Sequence, residues 1–313
     1  MSTTSVLGDP GISRLKLFMA LSRTPHGVLD MATPALGALL YLGTVPPLPV
    51  VLLGILTAFA GYTAVYALND VVDYRVDREK VQNCGLPEAS GDLDAVCARH
   101  PMAQGLLSLR EGILWTVSWG AVALLGAYLL NPKCAIIFIG GCVAEAVYCL
   151  MLRVSYLRTL VSGVVKTAGG MAAVYAVAPD PSPFFLVVFF LWLFFWEVGG
   201  QNVPNDWADM KEDQELQTDT IPVRFGVESS ASIIVVTLSV AVLLSVVLYW
   251  VTPAQLSPLY LPGVVGAGIL LLLRPASRLK ADPRVQSASA LFNQASTYPL
   301  AFFVVVLISA ILA

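Results

Sequence analysis

The stretch VVLLGILTAFAGYTAVYALNDVVDYRVD, residues 50–77, decides the fold of this chain. Its first part is almost entirely apolar, and a helix of about 20 such residues is long enough to cross roughly 30 Å of hydrocarbon. The stretch then changes to NDVVDYRVD, residues 69–77, in which three Asp residues follow at spacings of three and four. This combination predicts a membrane-spanning helix that brings acidic side chains to one membrane surface.

The composition of the whole chain agrees with a membrane protein. Of its 313 residues, 57% are hydrophobic and only 12% are charged, whereas soluble domains carry about 25% charged residues. A chain this poor in charge cannot cover a water-facing surface, so the lipid bilayer must cover much of it. The formal net charge of −3 excludes a strongly basic nucleic-acid-binding protein, and we expect no nucleic-acid partner.

Apolar runs recur along the chain and predict an all-α, polytopic membrane protein. They predict nine transmembrane helices in one bundle, near residues 26–43, 49–69, 111–130, 134–152, 160–178, 183–203, 229–251, 258–273 and 292–312. We expect residues 1–25 to be an N-terminal segment rather than a cleaved signal peptide, because its apolar run is short and no small-residue cleavage site follows. Residues 26–313 are expected to form a single transmembrane domain.

The positive charges predict the orientation of this bundle. If the N-terminus is cytoplasmic, all Lys and Arg residues except Lys133 and Lys166 fall in cytoplasmic segments, namely 1–25, 70–110, 153–159, 204–228 and 274–291. Cytoplasmic loops of membrane proteins carry such an excess of positive charge. We therefore expect a multi-pass protein with a cytoplasmic N-terminus and a cytoplasmic cap formed by loops 70–110 and 204–228.

The second of these loops repeats the acidic pattern of the first. Residues 205–213 read NDWADMKED, so both segments share the pattern N-D-x-x-D-x-x-x-D. One such loop could be a solvated acidic helix end, but the duplication favours two halves of one site. Positions i, i+3 and i+7 of a helix share a face, so the carboxylates are expected to converge: Asp70, Asp73, Asp77, Asp206, Asp209 and Asp213.

Six converging carboxylates would repel one another and raise one another's pKa values unless a cation lay between them. Mg²⁺ prefers carboxylate oxygens and shares its remaining coordination positions with substrate phosphates. The two motifs therefore predict Mg²⁺ bound by all six Asp residues, together with a diphosphate substrate.

Cationic residues accompany the acids and could bind phosphate oxygens that metal ions leave uncovered. Arg75, Arg78 and Lys80 follow the first motif, while Lys211 and Arg224 belong to the second. Lys166 differs because it lies within a predicted span, where a charged side chain is costly and normally faces a partner or a cavity. Glu145 and Glu197 lie within spans as well, whereas Asp30 lies nearer a helix end and could extend toward water.

These residues resemble the UbiA-type superfamily of intramembrane prenyltransferases, which has two such motifs after the second and sixth of nine helices. The first motif, with Arg78, matches the pattern N-D-x-x-D-x-x-x-D-R, and residues 100–105 are similar to the R-P-x-x-x-G segment that usually follows. Residues 220–226, TIPVRFG, follow the second motif as in that family. Tyr148, Arg153 and Ser155 are similar to its Y-x-x-x-K-R-x-T stretch. The resemblance covers roughly residues 20–310.

The resemblance implies a prenyltransferase that moves an isoprenyl group from an isoprenyl diphosphate to a hydrophobic or aromatic acceptor in the membrane, with Mg²⁺ neutralising the leaving group. The implied catalytic residues are Asp70, Asp73, Asp206, Asp209, Tyr148 and Arg153. The implied substrate-binding residues are Asn69, Asn205, Arg78, Lys166, Lys211, Arg23 and Glu197. Aromatic rings could line an apolar cavity and stabilise an allylic cation; the candidates are Tyr148, Trp192, Phe195 and Trp196.

The sequence departs from the family pattern at three places. His100 stands where Arg is usual, and Leu152 stands where Lys is common. The segment from about Val81 to Ala98 is an insertion relative to the short link of the family, and its composition is typical of a mobile surface loop, which we interpret as a lid.

The sequence does not decide which acceptor the protein uses. Arg23 and His26, at the entry to the first helix, could bind an acidic acceptor, and Glu197 could take its proton. Frequency within the family favours an aromatic quinone precursor; a carotenoid, a glycerol lipid or a tetrapyrrole is the alternative.

Two other classes of protein agree less well with the sequence. A cation-coupled transporter would place its acids near mid-membrane on broken helices, whereas these acids lie at helix ends beside basic residues. A phosphatidyltransferase-type enzyme would carry a single Asp-rich motif with an Asp-Gly and Ala-Arg signature, which this sequence lacks.

Overall fold

A computed structural model describes residues 13–84, 93 and 98–313, and within that part of the chain it contains helices and no strand. The helices are α1 (Arg14–Leu21), α2 (Thr24–Asp30), α3 (Ala32–Leu42), α4 (Leu48–Val72), α5 (Tyr74–Cys84), α6 (Leu109–Leu130), α7 (Pro132–Leu150), α8 (Arg158–Val177), α9 (Pro183–Ala208), α10 (Met210–Glu215), α11 (Ile221–Val251), α12 (Tyr260–Ala281) and α13 (Val285–Ile311). Most of the predicted insertion at 81–98, and with it the predicted lid, lies outside the described residues. The all-α prediction is confirmed.

Eight helices of the described chain are long and apolar enough to cross a membrane: α4, α6, α7, α8, α9, α11, α12 and α13. They correspond in order to the predicted spans from 49–69 to 292–312, so the protein is an integral, multi-pass membrane protein. The predicted first span, 26–43, differs from the others, because it consists of the two short helices α2 and α3, which meet at Met31.

Pro34 explains why this first segment is broken. A proline inside a helix lacks the N–H that would bond the carbonyl four residues earlier, and its ring clashes with that carbonyl. The carbonyl concerned is that of Asp30, the last residue of α2. Its oxygen accepts a hydrogen bond from the Thr33 hydroxyl instead, at 2.9 Å. The break therefore leaves the buried Asp30 side chain at a helix end within the bundle.

Aromatic side chains of α9 form the centre of the bundle. Phe185, Phe189, Trp192 and Trp196 lie at spacings of three or four residues, which places them on one face of the helix, and none of them is exposed. Consecutive rings of this set lie 5.6, 5.7 and 6.3 Å apart between centroids. Phe302 of α13 meets Trp192 edge-on at 5.0 Å. Over half of the α9 span is buried, more than in any other long helix of the described chain.

Glycine residues allow α3 to lie directly against α8. A Cβ atom on Gly37 would be 2.9 Å from the carbonyl oxygen of Gly170 and 3.0 Å from the Phe189 ring. Neither the backbone oxygen nor the fully buried ring can move without disturbing the packed core around it. This contact holds the broken first segment against the helices that line the cavity described below.

We predict that Gly37→Ala destabilises the protein by about 1–3 kcal/mol, the usual cost of overpacking a core. Gly140→Ala is the matched control, because a Cβ atom there meets nothing within 4 Å. Thermal unfolding in detergent, followed by intrinsic fluorescence, should show a lower midpoint for Gly37→Ala only. Equal midpoints for the two variants would contradict the close α3–α8 contact.

Candidate functional site

All six motif aspartates line one cavity of about 440 Å³. At its other end the same cavity is lined by apolar side chains such as Val50, at the start of α4, and Leu130, at the end of α6. Between the two ends its wall includes small residues, among them Gly54 and Ala58 of α4 and Ala172 of α8. The cavity thus joins an acidic end to an apolar channel that follows most of the length of α4.

The two Asp-rich motifs have the same backbone geometry. In each, the long helix ends at the middle Asp, with φ −81° and ψ 1° at Asp73 and φ −94° and ψ 2° at Asp209. The N–H groups of these residues donate to the carbonyls of Asn69 and Asn205, at 2.9 and 3.1 Å. A short helix, α5 or α10, then carries the third Asp. The single helical face predicted from the spacing is therefore a helix with a break, but the convergence of all six side chains on one cavity agrees with the prediction.

Basic side chains from separate segments pair with these acids. Arg23 Nη2 lies 3.3 Å from Asp70 Oδ1, and Arg158 Nη1 lies 3.5 Å from Asp206 Oδ1. The Asp partners of both pairs are buried. Because a buried carboxylate without a counter-charge is strongly unfavourable, these pairs are needed to keep the acidic end of the cavity folded.

Three further basic residues connect the two motifs. Lys80, on the helix that follows the first motif, has its Nζ 3.6 Å from Asp213 Oδ1 of the second. Arg99 pairs with Asp209 of the second motif, while the adjacent His100 has its Nδ1 3.0 Å from Asp77 Oδ2 of the first. The two Asp-rich segments are thus parts of one charged network.

The pKa values of these groups follow from burial and from their neighbours. Burial raises the pKa of Asp73 to about 6, and the Asp77 carboxylate adds to this shift. Burial would also raise the pKa of Asp77, but His100, Lys80 and Arg23 together outweigh burial and hold that pKa below its usual value. Burial would lower the pKa of His100, but the carboxylates of Asp77 and Asp70 raise it to about 9. His100 is therefore cationic near neutral pH. It stands where Arg is usual in the UbiA-type family.

The donor set fits a divalent metal ion. Asp206 Oδ2 and Asp213 Oδ1 are buried and accept no hydrogen bond from the described residues, so each keeps a lone pair available to a metal ion; Lys80 Nζ lies 3.6 Å from Asp213 Oδ1. Carboxylate oxygens of Asp70 and Asp77 lie within 4.8 Å of each other, and the cationic His100 contacts both as a counter-charge rather than as a ligand. Carboxylate oxygens in this arrangement suit a hard ion such as Mg²⁺.

The structure brings most of the predicted site residues to the cavity. Besides the six Asp residues, these are Asn69, Asn205, Arg23, Tyr148, Lys166 and Glu197. Arg78 and Lys211 are exposed and do not line it. Of the predicted aromatic lining, Tyr148 is present, whereas Trp192 and Trp196 are completely buried in the α9 core and Phe195 packs against that core.

Arg153 does not lie at the acidic end of the cavity, contrary to the expectation from the Y-x-x-x-K-R-x-T similarity. It lies in the turn after α7, its side chain is 42% exposed, and it pairs with Glu79 at 2.7 Å. Arg158, which was not among the predicted site residues, is the buried cation of this segment. As the first residue of α8 it faces inward, with its guanidinium 4.0 Å from the centre of the Tyr148 ring. The only sequence signal for it was its place as the second Arg in segment 153–159.

A second polar group lies deeper in the same cavity. Asp30 is completely buried rather than extended toward water, and its Oδ2 accepts hydrogen bonds from Lys166 Nζ at 2.6 Å and from the Tyr66 hydroxyl at 2.5 Å. Lys166 Nζ also lies 3.8 Å from Glu197 Oε2. The prediction that the intramembrane lysine faces partners in a cavity agrees with this placement.

The chain is similar to proteins of one known family. Residues 31–305 match the UbiA prenyltransferase family. The digeranylgeranylglyceryl phosphate synthase of Thermococcus sibiricus is 26% identical over 258 residues, which cover 82% of this chain and 84% of that protein. The apo structure of a UbiA homolog from Aeropyrum pernix K1 is similar with a TM-score of 0.71 and 17% identity, covering 91% of this chain and 98% of that one. A UbiA homolog from Archaeoglobus fulgidus bound to GPP and Mg²⁺ has a TM-score of 0.67 and 16% identity, covering 93% and 99%. These two structures share the fold of this chain.

We predict that Arg158→Ala weakens Mg²⁺-dependent binding of inorganic diphosphate by about tenfold or more, since hydrogen bonds to charged groups contribute about 1.5–3 kcal/mol. Arg153→Ala is the matched control from the same segment and should bind as the wild type does. Isothermal titration calorimetry of the purified protein in detergent measures both dissociation constants. A larger loss of diphosphate affinity in Arg153→Ala than in Arg158→Ala would show that Arg153, not Arg158, binds the diphosphate.

Proposed function

Because the chain belongs to the UbiA prenyltransferase family, we propose that it transfers an isoprenyl group from an isoprenyl diphosphate to a lipophilic acceptor within the membrane, at the cavity lined by the two Asp-rich motifs. One observation carries this proposal: all six aspartates line one cavity whose other end is apolar. The acidic end suits a metal-bound diphosphate, and the apolar channel suits the hydrocarbon tail of the same molecule.

Breaking the bond between the allylic carbon and the diphosphate oxygen is the difficult event in such a transfer. Mg²⁺, when bound by the motif carboxylates, would supply Lewis-acid stabilisation of the leaving diphosphate. Arg158 and Arg23 are fixed beside Asp206 and Asp70 and would donate hydrogen bonds to the phosphate oxygens. Because these donors are already in place before the charge develops, they stabilise the transition state without reorganisation.

The allylic cation that remains must be protected from water until the acceptor attacks. The small residues along α4 and α8 leave room for an isoprenyl chain in the membrane interior, where water is excluded. The Tyr148 ring lies at the polar end of this channel, stacked beneath the Arg158 guanidinium. We propose that the Tyr148 ring helps to hold the reacting carbon next to the diphosphate.

The acceptor side of the reaction is assigned to the deeper polar group. Glu197 Oε1 accepts a hydrogen bond from the Ser162 hydroxyl at 2.7 Å, which orients its carboxylate in the cavity. When the acceptor forms its new bond to the allylic carbon, the hydrogen that it loses would pass as a proton to Glu197. Arg23, expected to bind an acidic acceptor, instead donates to Asn69 and Asp70, at 3.0 and 3.3 Å, so we assign it to the diphosphate.

Two acceptor classes remain as proposals. An aromatic quinone precursor is our first proposal, on the frequency of such acceptors in the family. A glycerol lipid is the second, since a similar protein is named digeranylgeranylglyceryl phosphate synthase. A cation-coupled transporter is not favoured, because the chain belongs to a family of enzymes and its motif acids lie at helix ends.

We also propose that the acidic end of the cavity and the N-terminus face the cytoplasm. The support is the distribution of Lys and Arg residues along the sequence, which follows the positive-inside rule.

The proposal is tested by incubating the purified protein with Mg²⁺, isoprenyl diphosphates of increasing length and a panel of aromatic and glycerol-lipid acceptors, with products analysed by mass spectrometry. We expect Mg²⁺-dependent diphosphate release and a prenylated product, both reduced roughly hundredfold or more in Asp70→Ala and in Asp209→Ala. Glu79→Ala, a half-exposed acid on α5 paired with Arg153, should retain wild-type activity. Full activity in both Asp variants would refute the metal assignment.

A further inference from the structure

The deeper polar group, which we call the inner cluster, consists of His26, Asp30, Lys166, Glu197 and Gln201, and all five residues line the cavity. Glu197 precedes Asp206 by nine residues along α9, which corresponds to about 14 Å of helix at 1.5 Å per residue. Tyr66, which donates to Asp30, precedes Asp70 by one helical turn. The inner cluster is therefore separate from the metal site but close enough for a molecule bound there to reach the diphosphate end.

One cation serves two carboxylates in this cluster. Lys166 Nζ is 2.6 Å from Asp30 Oδ2 and 3.8 Å from Glu197 Oε2. Both acids are buried, with 0% and 6% of their surface exposed. The two carboxyl groups therefore share a single lysine.

Gln201 connects His26 to Ser296 in the inner cluster. The Ser296 hydroxyl donates to the Phe292 carbonyl at 2.8 Å, so its oxygen must accept from Gln201 Nε2, which lies 3.1 Å away. The same amide nitrogen lies 3.0 Å from His26 Nε2, and His26 Nε2 lies 3.7 Å from Asp30 Oδ1. His26 is thus beside Asp30 Oδ1 but beyond hydrogen-bond distance from it.

Three oxygen atoms of the inner cluster have no hydrogen-bond donor among residues 13–84, 93 and 98–313: Asp30 Oδ1, Glu197 Oε2 and Gln201 Oε1. All three belong to side chains that are at least nine-tenths buried. Among the described residues of the cluster, no cation is left to bind an anion, because Lys166 already donates to Asp30 and Tyr66. A buried hydrogen-bond acceptor without a donor is energetically unfavourable. A ligand that donates hydrogen bonds would therefore satisfy these oxygens.

We propose that the inner cluster binds the acceptor substrate, and that this acceptor is an uncharged molecule whose hydroxyl groups donate hydrogen bonds to Asp30, Glu197 and Gln201. This inference rests on the proposed prenyl transfer and specifies its acceptor. A phosphate or carboxylate on the substrate cannot donate hydrogen bonds to these three oxygens. It would also add negative charge beside two carboxylates that share one lysine. An uncharged phenol and an uncharged glycerol ether both satisfy the three oxygens.

The test compares two matched pairs of probes, one for each source of hydroxyl groups. The aromatic pair is 1,4-dihydroxynaphthalene and 1,4-dihydroxy-2-naphthoate, and the aliphatic pair is geranylgeranylglycerol and geranylgeranylglyceryl phosphate. Dissociation constants are measured by calorimetry on the full chain in detergent, with Mg²⁺ and a non-hydrolysable geranylgeranyl thiolodiphosphate present. In at least one pair the uncharged member should bind about tenfold or more tighter than its anionic partner, which corresponds to about 1.4 kcal/mol. The pair that binds identifies the acceptor as phenolic or aliphatic.

Two variants then test the residues themselves. Glu197→Gln and Asp30→Asn each remove one negative charge while keeping the size of the side chain, so each should weaken the uncharged probe and strengthen its anionic partner. This opposite movement is not expected from a structural defect, which would weaken both. Asp180→Asn is the control, because it neutralises an acid with a 93% exposed side chain, paired with Lys133, outside the cavity; its discrimination between the probes should equal that of the wild type.

The proposal is overturned if the anionic member binds tighter in both pairs, if none of the four probes binds, or if both variants keep the wild-type discrimination. Failure of the proposed function has a different signature. In that case the thiolodiphosphate itself would not bind in a Mg²⁺-dependent manner, whatever the acceptor probes do. The two results come from separate titrations of the same preparation.

Discussion

Six carboxylates have to be held around one cavity in a chain that lipid surrounds, and the arrangement of the rest of the site follows from that constraint. Charges withdrawn from water are tolerated only when they are paired and hydrogen-bonded. The pairing is supplied by basic residues from several segments: Arg23, Lys80, Arg99, His100 and Arg158. Because these residues connect both motifs, neither motif can be displaced without unpairing charges of the other. In the proposed function, the same cations would donate hydrogen bonds to a diphosphate once metal ions occupied the carboxylates.

The two ends of the polar part of the cavity differ in the hydrogen bonds that they offer. Around the motif aspartates, guanidinium and ammonium groups provide donors for phosphate oxygens. In the inner cluster, the unpaired atoms are the oxygens of Asp30, Glu197 and Gln201. Under the proposed function, an anionic group and a hydroxyl group would be directed to different places in one cavity. This separation gives a physical basis for ordering a donor substrate and an acceptor substrate without a second pocket.

The sequence predicted the spans well because their length and apolar character are set by the bilayer itself. It also predicted that the motifs share one site, since acids repeated at the same spacing in two segments favour two halves of one cation site. It did not predict the break between α2 and α3, although the cause is local: Pro34 frees the carbonyl of Asp30. The choice between Arg153 and Arg158 could not be made from the sequence, because it depends on the residue at which α8 begins to face the cavity. The orientation of Trp192 and Trp196 could not be predicted either, since an apolar helix gives no signal for which face meets the core.

We propose that the two Asp-rich motifs bind metal ions and one diphosphate together. The most direct measurement is anomalous diffraction at the manganese edge from crystals grown with Mn²⁺ and geranylgeranyl thiolodiphosphate. We expect manganese within coordination distance of carboxylates from both motifs, with the diphosphate between them and the hydrocarbon tail in the channel beside α4. Manganese bound by the carboxylates of one motif alone, with the diphosphate outside the cavity, would contradict it.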